Sequence, residues 1–232
     1  LLTELDRQTL QPISPPRKIF SGTAIGLVEG PHLYQKDGWY YLFVAEGGTE
    51  YGHAESVARS RQIWGPYEVH PQTHLLTTRY APGRSLQKCG HASICQGPDG
   101  RWFTAFLCGR PVDGRVGGRC ILGRETAINE IVWRDGWPYL KNGTYVPDVS
   151  FEGYGEKADT PSLHCYDFQD PSFYADFQSL RVPCRHEILP DGVLRIYGGE
   201  SPASTFSQNI LARRQQDFSF AATTCVKSYY PD

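Results

Sequence analysis

Two stretches of the 232-residue chain, about sixty residues apart, follow one plan. The first runs Glu29-Gly30-Pro31-His32-Leu33-Tyr34, turns at Asp37-Gly38 and continues Trp39-Tyr40-Tyr41-Leu42-Phe43-Val44. The second runs Cys89-Gly90-His91-Ala92-Ser93-Ile94, turns at Asp99-Gly100 and continues Trp102-Phe103-Thr104-Ala105-Phe106-Leu107. Asp-Gly between two runs of aromatic and β-branched residues is the strongest short-range signal for a hairpin. A unit this small cannot cover both faces of its own sheet, so its recurrence predicts stacked propeller blades, with function gathered where the innermost strands converge.

The rest of the chain fits an all-β class. Aromatics make up 13% and glycines number 24, and short apolar runs are punctuated by Gly, Pro and Asp, with no long stretch of helical period. Residues 57–61, followed by Ile63-Trp64-Gly65-Pro66-Tyr67, predict a strand near the outer edge of a blade that ends where proline's missing donor is harmless. Residues 130–133 and 137–140, joined by Arg134-Asp135-Gly136, predict a third hairpin. Between 141 and 162 the pattern loosens into Gly, Pro, Asp and Ser, as in a surface linker. We place a boundary there, with propeller blades in 1–158 and the start of a β-sandwich in 159–232. Sandwich strands are expected at 177–182, 193–197 and 210–214, where apolar and polar residues alternate. At about sixty residues per blade the first part holds two to three blades, against roughly four to eight in a closed propeller. The tail is likewise short of the roughly 100 residues of a sandwich. The expectation is a piece of a longer polypeptide, or a chain completed by another, a second copy included.

Composition narrows the partners. With 40% hydrophobic and 21% charged residues the chain is globular, and a net charge of −2 with scattered basic residues leaves no footprint for nucleic acid or an anionic membrane. No apolar run reaches the roughly 20 residues that span a bilayer. Of seven cysteines, Cys89, Cys95, Cys108 and Cys120 lie in or beside apolar runs and read as reduced core residues, which favours a reducing, cytoplasmic setting. None forms a Cys-x-x-Cys pair, so a thiolate zinc site is not expected.

Three residues stand out as chemistry. Glu29 opens the first repeat after the apolar approach Ala24, Ile25, Leu27 and Val28. Walled by Trp39, Tyr40 and Tyr41, its carboxyl would have a raised pKa and serve as a general acid, the alternative being a surface ion pair. His91 occupies the station of Pro31 or His32 in the second repeat. Its imidazole can face the propeller axis and hold a divalent ion or a sugar hydroxyl, or be a buried histidine satisfied by backbone. Arg124 opens a further strand, where a buried guanidinium can hold paired hydroxyls; pairing with Glu125 is the competing account. Asp37, Asp99 and Asp135 precede Gly and belong to turns. The polar run from Glu46 to His53 either shapes a pocket or forms a flexible loop.

At these residues the chain resembles glycoside hydrolase family 43, specifically its β-xylosidases with a C-terminal β-sandwich. The matching stretches are Glu29-Gly-Pro-His-Leu-Tyr34, Ala45-Glu-Gly-Gly-Thr49, Gly65-Pro-Tyr-Glu68, Leu86-Gln-Lys-Cys-Gly-His-Ala-Ser-Ile94, Leu122-Gly-Arg-Glu-Thr-Ala127 and Ala212-Arg-Arg-Gln215. They run in order over nearly the whole chain. The resemblance implies a five-bladed propeller with a concanavalin-like sandwich, inverting hydrolysis, and release of xylose from the ends of β-1,4-xylo-oligosaccharides. Some relatives also remove α-L-arabinofuranosyl groups. Carried over by position, Glu29 matches the general acid and Arg124 an arginine on the sugar of the deepest subsite. His91 matches a histidine near the axis that in some relatives helps hold a cation such as Ca2+; no other cofactor is implied. The family's base and the aspartate that tunes the acid lie upstream of Leu1, and Asp6, the only Asp before Glu29, matches neither motif. The 232 residues alone are therefore expected to be inactive. A non-catalytic carbohydrate-binding protein, stacking sugars on exposed Trp and Tyr, is the second class of function.

Overall fold

In the computed structural model the described residues are 1–114, 116–150, 152–153, 163–206 and 208–228. The chain divides into two compact units, Leu1–Gly153 and Tyr154–Asp232. The boundary expected at 158/159 lies outside the described residues.

The first unit contains two four-stranded antiparallel sheets whose strands follow one another in sequence order. The first is β1 (Glu29–Lys36), β2 (Trp39–Glu46), β3 (Ala54–Ser60) and β4 (Glu68–Thr77). The second is β5 (Gln87–Gln96), β6 (Trp102–Gly109), β7 (Glu125–Arg134) and β8 (Trp137–Leu140). Each repeat is thus the inner half of one propeller blade. The hairpin at Asp135-Gly136 closes the second blade and does not begin a third. Turn chemistry explains two of the three hairpins directly. Asp37 and Gly38 have φ of 50° and 74°, and Asp135 and Gly136 have 51° and 71°, the paired left-handed conformations of a two-residue hairpin turn that matches strand twist. Asp99-Gly100 sits in a longer loop closed by Gly97 N–H donating to Arg101 O at 2.8 Å. There the Asp99 carboxylate accepts from the Arg101 backbone at 3.0 Å.

Tyr41, Phe43, Val57, Leu75 and Leu76 of the first sheet and Ile94, Phe106, Ile131, Trp137 and Leu140 of the second meet in one shared core. Burying each such side chain stabilises by about 1.5–3 kcal/mol. Polar groups cross the same seam. Arg59 stacks 4.2 Å from the Trp39 ring centre and 4.0 Å from that of Trp137. It also donates to the carbonyls of Asp135 at 3.0 Å and Gly136 at 2.6 Å, and the Tyr41 hydroxyl donates to Gly136 O at 2.6 Å. Gly136 is required twice over, by its positive φ and because a Cβ there would lie 2.7 Å from Arg59 Nη1. His70 Nε2 lies 2.9 Å from Pro138 O and its Nδ1 accepts from the Gln72 N–H at 3.0 Å, a pattern that only neutral imidazole satisfies.

Cys89 and Cys108 are core residues, whereas Cys95 is exposed and Cys120 half-buried; no disulfide joins any of the seven. Burial pushes the Cys89 thiol up to about 12, which leaves it inert. The expected strand near 57–61 is β3, a buried interior strand, with β4 outside it.

The second unit has shorter strands than alternation predicted. β9 (Phe177–Gln178) pairs with β12 (Ala212–Arg213), and β10 (His186–Ile188) with β11 (Leu194–Ile196). A 3-10 turn, Pro171–Ala175, precedes β9, with the Asp170 carboxylate capping the Ser172 N–H. Phe173 is buried among Phe168, Tyr174 and Phe177.

Candidate active site

Strand register gathers the candidate residues at one end of both blades. Glu29 pairs with Ala45, Glu46 with Ala54 and Ala54 with Thr77. Gln87 pairs with Gly109, and Cys108 with Glu125. The start of β1, the β2–β3 loop, the start of β5 and the loop ending at Arg124 therefore emerge together. Two contacts tie these loops across the blades: Tyr51 OH donates to Gly118 O at 2.6 Å, and Lys88 Nζ lies 2.8 Å from Glu50 Oε2.

Glu29 is exposed at this open end. The aromatic wall expected around it is not there. Antiparallel pairing sets Glu29 opposite Ala45 and Lys36 opposite Trp39, which carries Trp39, Tyr40 and Tyr41 to the far end of the strand. What fixes Glu29 is its approach. Glu46, wholly buried, accepts from Thr23 N–H at 2.7 Å and from the Thr23 hydroxyl at 2.9 Å. The Ser56 hydroxyl donates to the same carboxylate, and Gly47 N–H donates to Gly26 O at 2.9 Å. Gly22 leaves room for this anchor, since a Cβ there would meet Glu46 Oε1 at 2.5 Å. Glu46 is thus neither pocket wall nor flexible loop, the two roles sequence allowed it; it clamps the segment that delivers Glu29.

His91 lies beside Glu29. Both inner strands carry a bulge at the corresponding place, between Glu29 and His32 in β1 and between Gly90 and Ser93 in β5. A bulge re-aims side chains out of the pleat. Here Gly30 and His91 both take positive φ, 55° and 53°. The half-buried His91 ring packs on Gly30, where a Cβ would be 2.4 Å from Nε2, and meets His32 edge-on at 6.4 Å. A second imidazole stands behind it. His53 is 2% exposed, packs on Gly90 and has Nδ1 3.2 Å from Glu46 O, while Nε2 has no hydrogen-bond partner. Burial holds the His53 pKa below its ordinary value, and the charge of a protonated His91 would lower it further. In the sequence His53 was read only as the end of the polar run from Glu46, and the buried Glu55 behind β5 did not stand out; burial at both comes from the neighbouring blade.

Arg124 reaches the same end through the register of β7 but is exposed, which corrects the expected buried guanidinium. Its neighbour Glu125 is gripped by Arg110, with Nη2 at 2.8 Å and Nε at 3.0 Å. Asp6 is taken up by a turn, its carboxylate accepting from the backbone of Gln8 and Thr9. Among the described residues no three His, Cys, Asp or Glu side chains converge to hold a metal ion. His91 alone does not make a cation site.

The arrangement presents a carboxyl to solvent beside an imidazole, on anchored backbone at the inner ends of two blades. Residues 1–138 match the family described as Glycosyl hydrolases family 43, and residues 165–229 match the Beta xylosidase C-terminal Concanavalin A-like domain. The chain is 46% identical to Xylosidase/arabinosidase 43B of Humicola insolens, over 97% of this chain and 42% of that protein. It is 42% identical to a beta-xylosidase of Bacillus subtilis, over 95% of this chain and 43% of the relative. The crystal structure of xylan beta-1,4-xylosidase from Bacillus halodurans superposes with a TM-score of 0.81 at 42% identity, over 93% of this chain and 42% of the other. The chain spans less than half the length of each of these relatives. Blades, motifs and likeness agree, and the chain belongs to glycosyl hydrolase family 43: part of its five-bladed propeller, followed by part of its concanavalin-like β-sandwich.

Proposed function

We propose that this chain carries the acid side of the active centre of an inverting, exo-acting β-D-xylosidase that releases xylose from xylo-oligosaccharides. The observation that carries this reading is the placement of Glu29 on a clamped inner-strand bulge, open to solvent and beside His91. Glu29 donates its proton to the glycosidic oxygen as the C1–O bond breaks. Water adds to C1 from the opposite face and gives its proton to a second carboxylate, about 6.5–9.5 Å from the first to leave room for that water. With Asp6 engaged in its turn, we place the base and the aspartate that tunes the acid in polypeptide outside these 232 residues. His91 and Arg124 serve as hydrogen-bond donors to sugar hydroxyls, Arg124 with its planar fork. A cation at the axis, if one binds through His91, takes its other ligands from elsewhere.

The name of the Humicola insolens relative supports a second reading, α-L-arabinofuranosidase; pentopyranose and pentofuranose pockets differ by small changes of wall. Xylobiose hydrolysis by the complete polypeptide, followed by proton nuclear magnetic resonance, tests the first reading. α-Xylose is expected as the first anomer, β-xylose first would overturn inversion, and no xylose at all would favour arabinoside cleavage or a binding protein. The 232 residues by themselves are expected to give no turnover.

A further inference from the structure

The inner strand β5 holds His91 in a conformation that a residue with a side chain adopts at a cost of about 1–3 kcal/mol, so something must over-determine it. Pairing of β5 with β6 steps from Gly90 opposite Leu107 to Ser93 opposite Ala105. His91 and Ala92 fall in the gap, without partners in that register. The Ala92 N–H is met from the other blade. Glu55 of β3, with no exposed surface, accepts the Ala92 N–H at 2.7 Å. Its other oxygen, Oε1, is buried without a hydrogen-bond partner. An acidic residue placed dry between two sheets is costly unless its hydrogen bonds accomplish something an apolar residue of the same size would not.

We propose that Glu55 is a positioning residue: by holding the Ala92 N–H of the β5 bulge it keeps the adjoining His91 backbone left-handed and the ring on Gly30, beside Glu29. The catalytic consequence rests on the function proposed above; the positional one does not. Glu55 touches no substrate and acts through His91 alone.

The test uses the complete polypeptide with Glu55→Met, which fills the space without an acceptor, and Glu55→Gln, which keeps one carbonyl acceptor but brings an amide NH2 into the dry seam. The His91 ring proton and carbon resonances should move strongly in the Met variant and less in the Gln variant, while those of His70 stay in place. Kinetically, Glu55→Met should lower kcat/KM for xylobiose at least tenfold, with partial rescue by Gln. In a His91→Ala background the same change should cost less than twofold. Unmoved His91 resonances in both variants, or an equal loss in both backgrounds, would overturn the proposal. If Glu55→Met does not fold, the Gln variant decides by the same two readouts. Unaltered kinetics in His91→Ala, together with Glu55→Gln shifting only the His91 resonances in a protein that keeps His91, would support the positioning role and sink the substrate role given to His91.

Discussion

At the scale of single residues, the seam between the blades is organised by buried polar groups. His70 is the simplest case. Its imidazole donates from Nε2 to Pro138 O and accepts at Nδ1 from Gln72 N–H, so protonation would break the second bond inside the core. Burial is the main cause that lowers its pKa to about 4. The unfolded chain takes up this proton near pH 6.5 and the folded chain only near 4, so stability is full above 6.5 and falls as pH drops through that window. The loss amounts to about 3 kcal/mol. Urea midpoints measured between pH 7 and 4 should show this slope in wild type, and His70→Gln should flatten it; an unchanged slope in the variant would assign it to other groups. Such residues were not legible beforehand. Glu55 and His70 look like any polar residue in their own strands, as His53 does in its loop, and only contact with a strand far along the chain dehydrates them.

At the scale of elements, much was legible, and for identifiable reasons. Asp-Gly pairs dictated the turns at 37–38 and 135–136, and the aromatic and β-branched runs beside the turns marked β2, β6, β7 and β8 as strands. Register carried the rest, and register was not in the pattern: pairing Glu29 with Ala45 moved the aromatics away from Glu29. The short pairings of β9 to β12 show the same limit, since alternating residues fix a face but not how far a ladder extends. The clamp on the 22–28 segment is a device of this scale. Glu46→Ala would leave Thr23 N–H and two hydroxyls without their acceptor, at about 2–4 kcal/mol. Amide exchange at Thr23 and Gly47 should quicken at least tenfold in that variant while the β2–β3 ladder stays protected; protection retained at both amides would show that the segment is held by other means.

At the scale of the whole chain, two blades cohere through Arg59, Tyr41 and His70 at one end and through Glu55 and the glycine-packed imidazoles at the other. Arg59 joins three strands and a turn, stacked between indoles while its donors reach the turn carbonyls. Arg59→Met should destabilise by about 2–3 kcal/mol in urea unfolding. Arg59→Lys should recover less than half, because an ammonium lacks the planar fork and stacking face; full recovery by Lys would reduce the clasp to simple charge. A stable seam matters because it fixes Glu29 relative to whatever faces it across the propeller axis.

The central claim, that Glu29 protonates the departing oxygen, is tested most directly by the leaving-group dependence of Glu29→Gln in the complete polypeptide. A general acid contributes roughly 10²–10⁴-fold where the leaving group needs a proton. The variant should therefore lose about that factor in kcat/KM on xylobiose and far less on a dinitrophenyl xyloside, whose leaving group departs unaided. Equal losses on the two substrates would contradict the account.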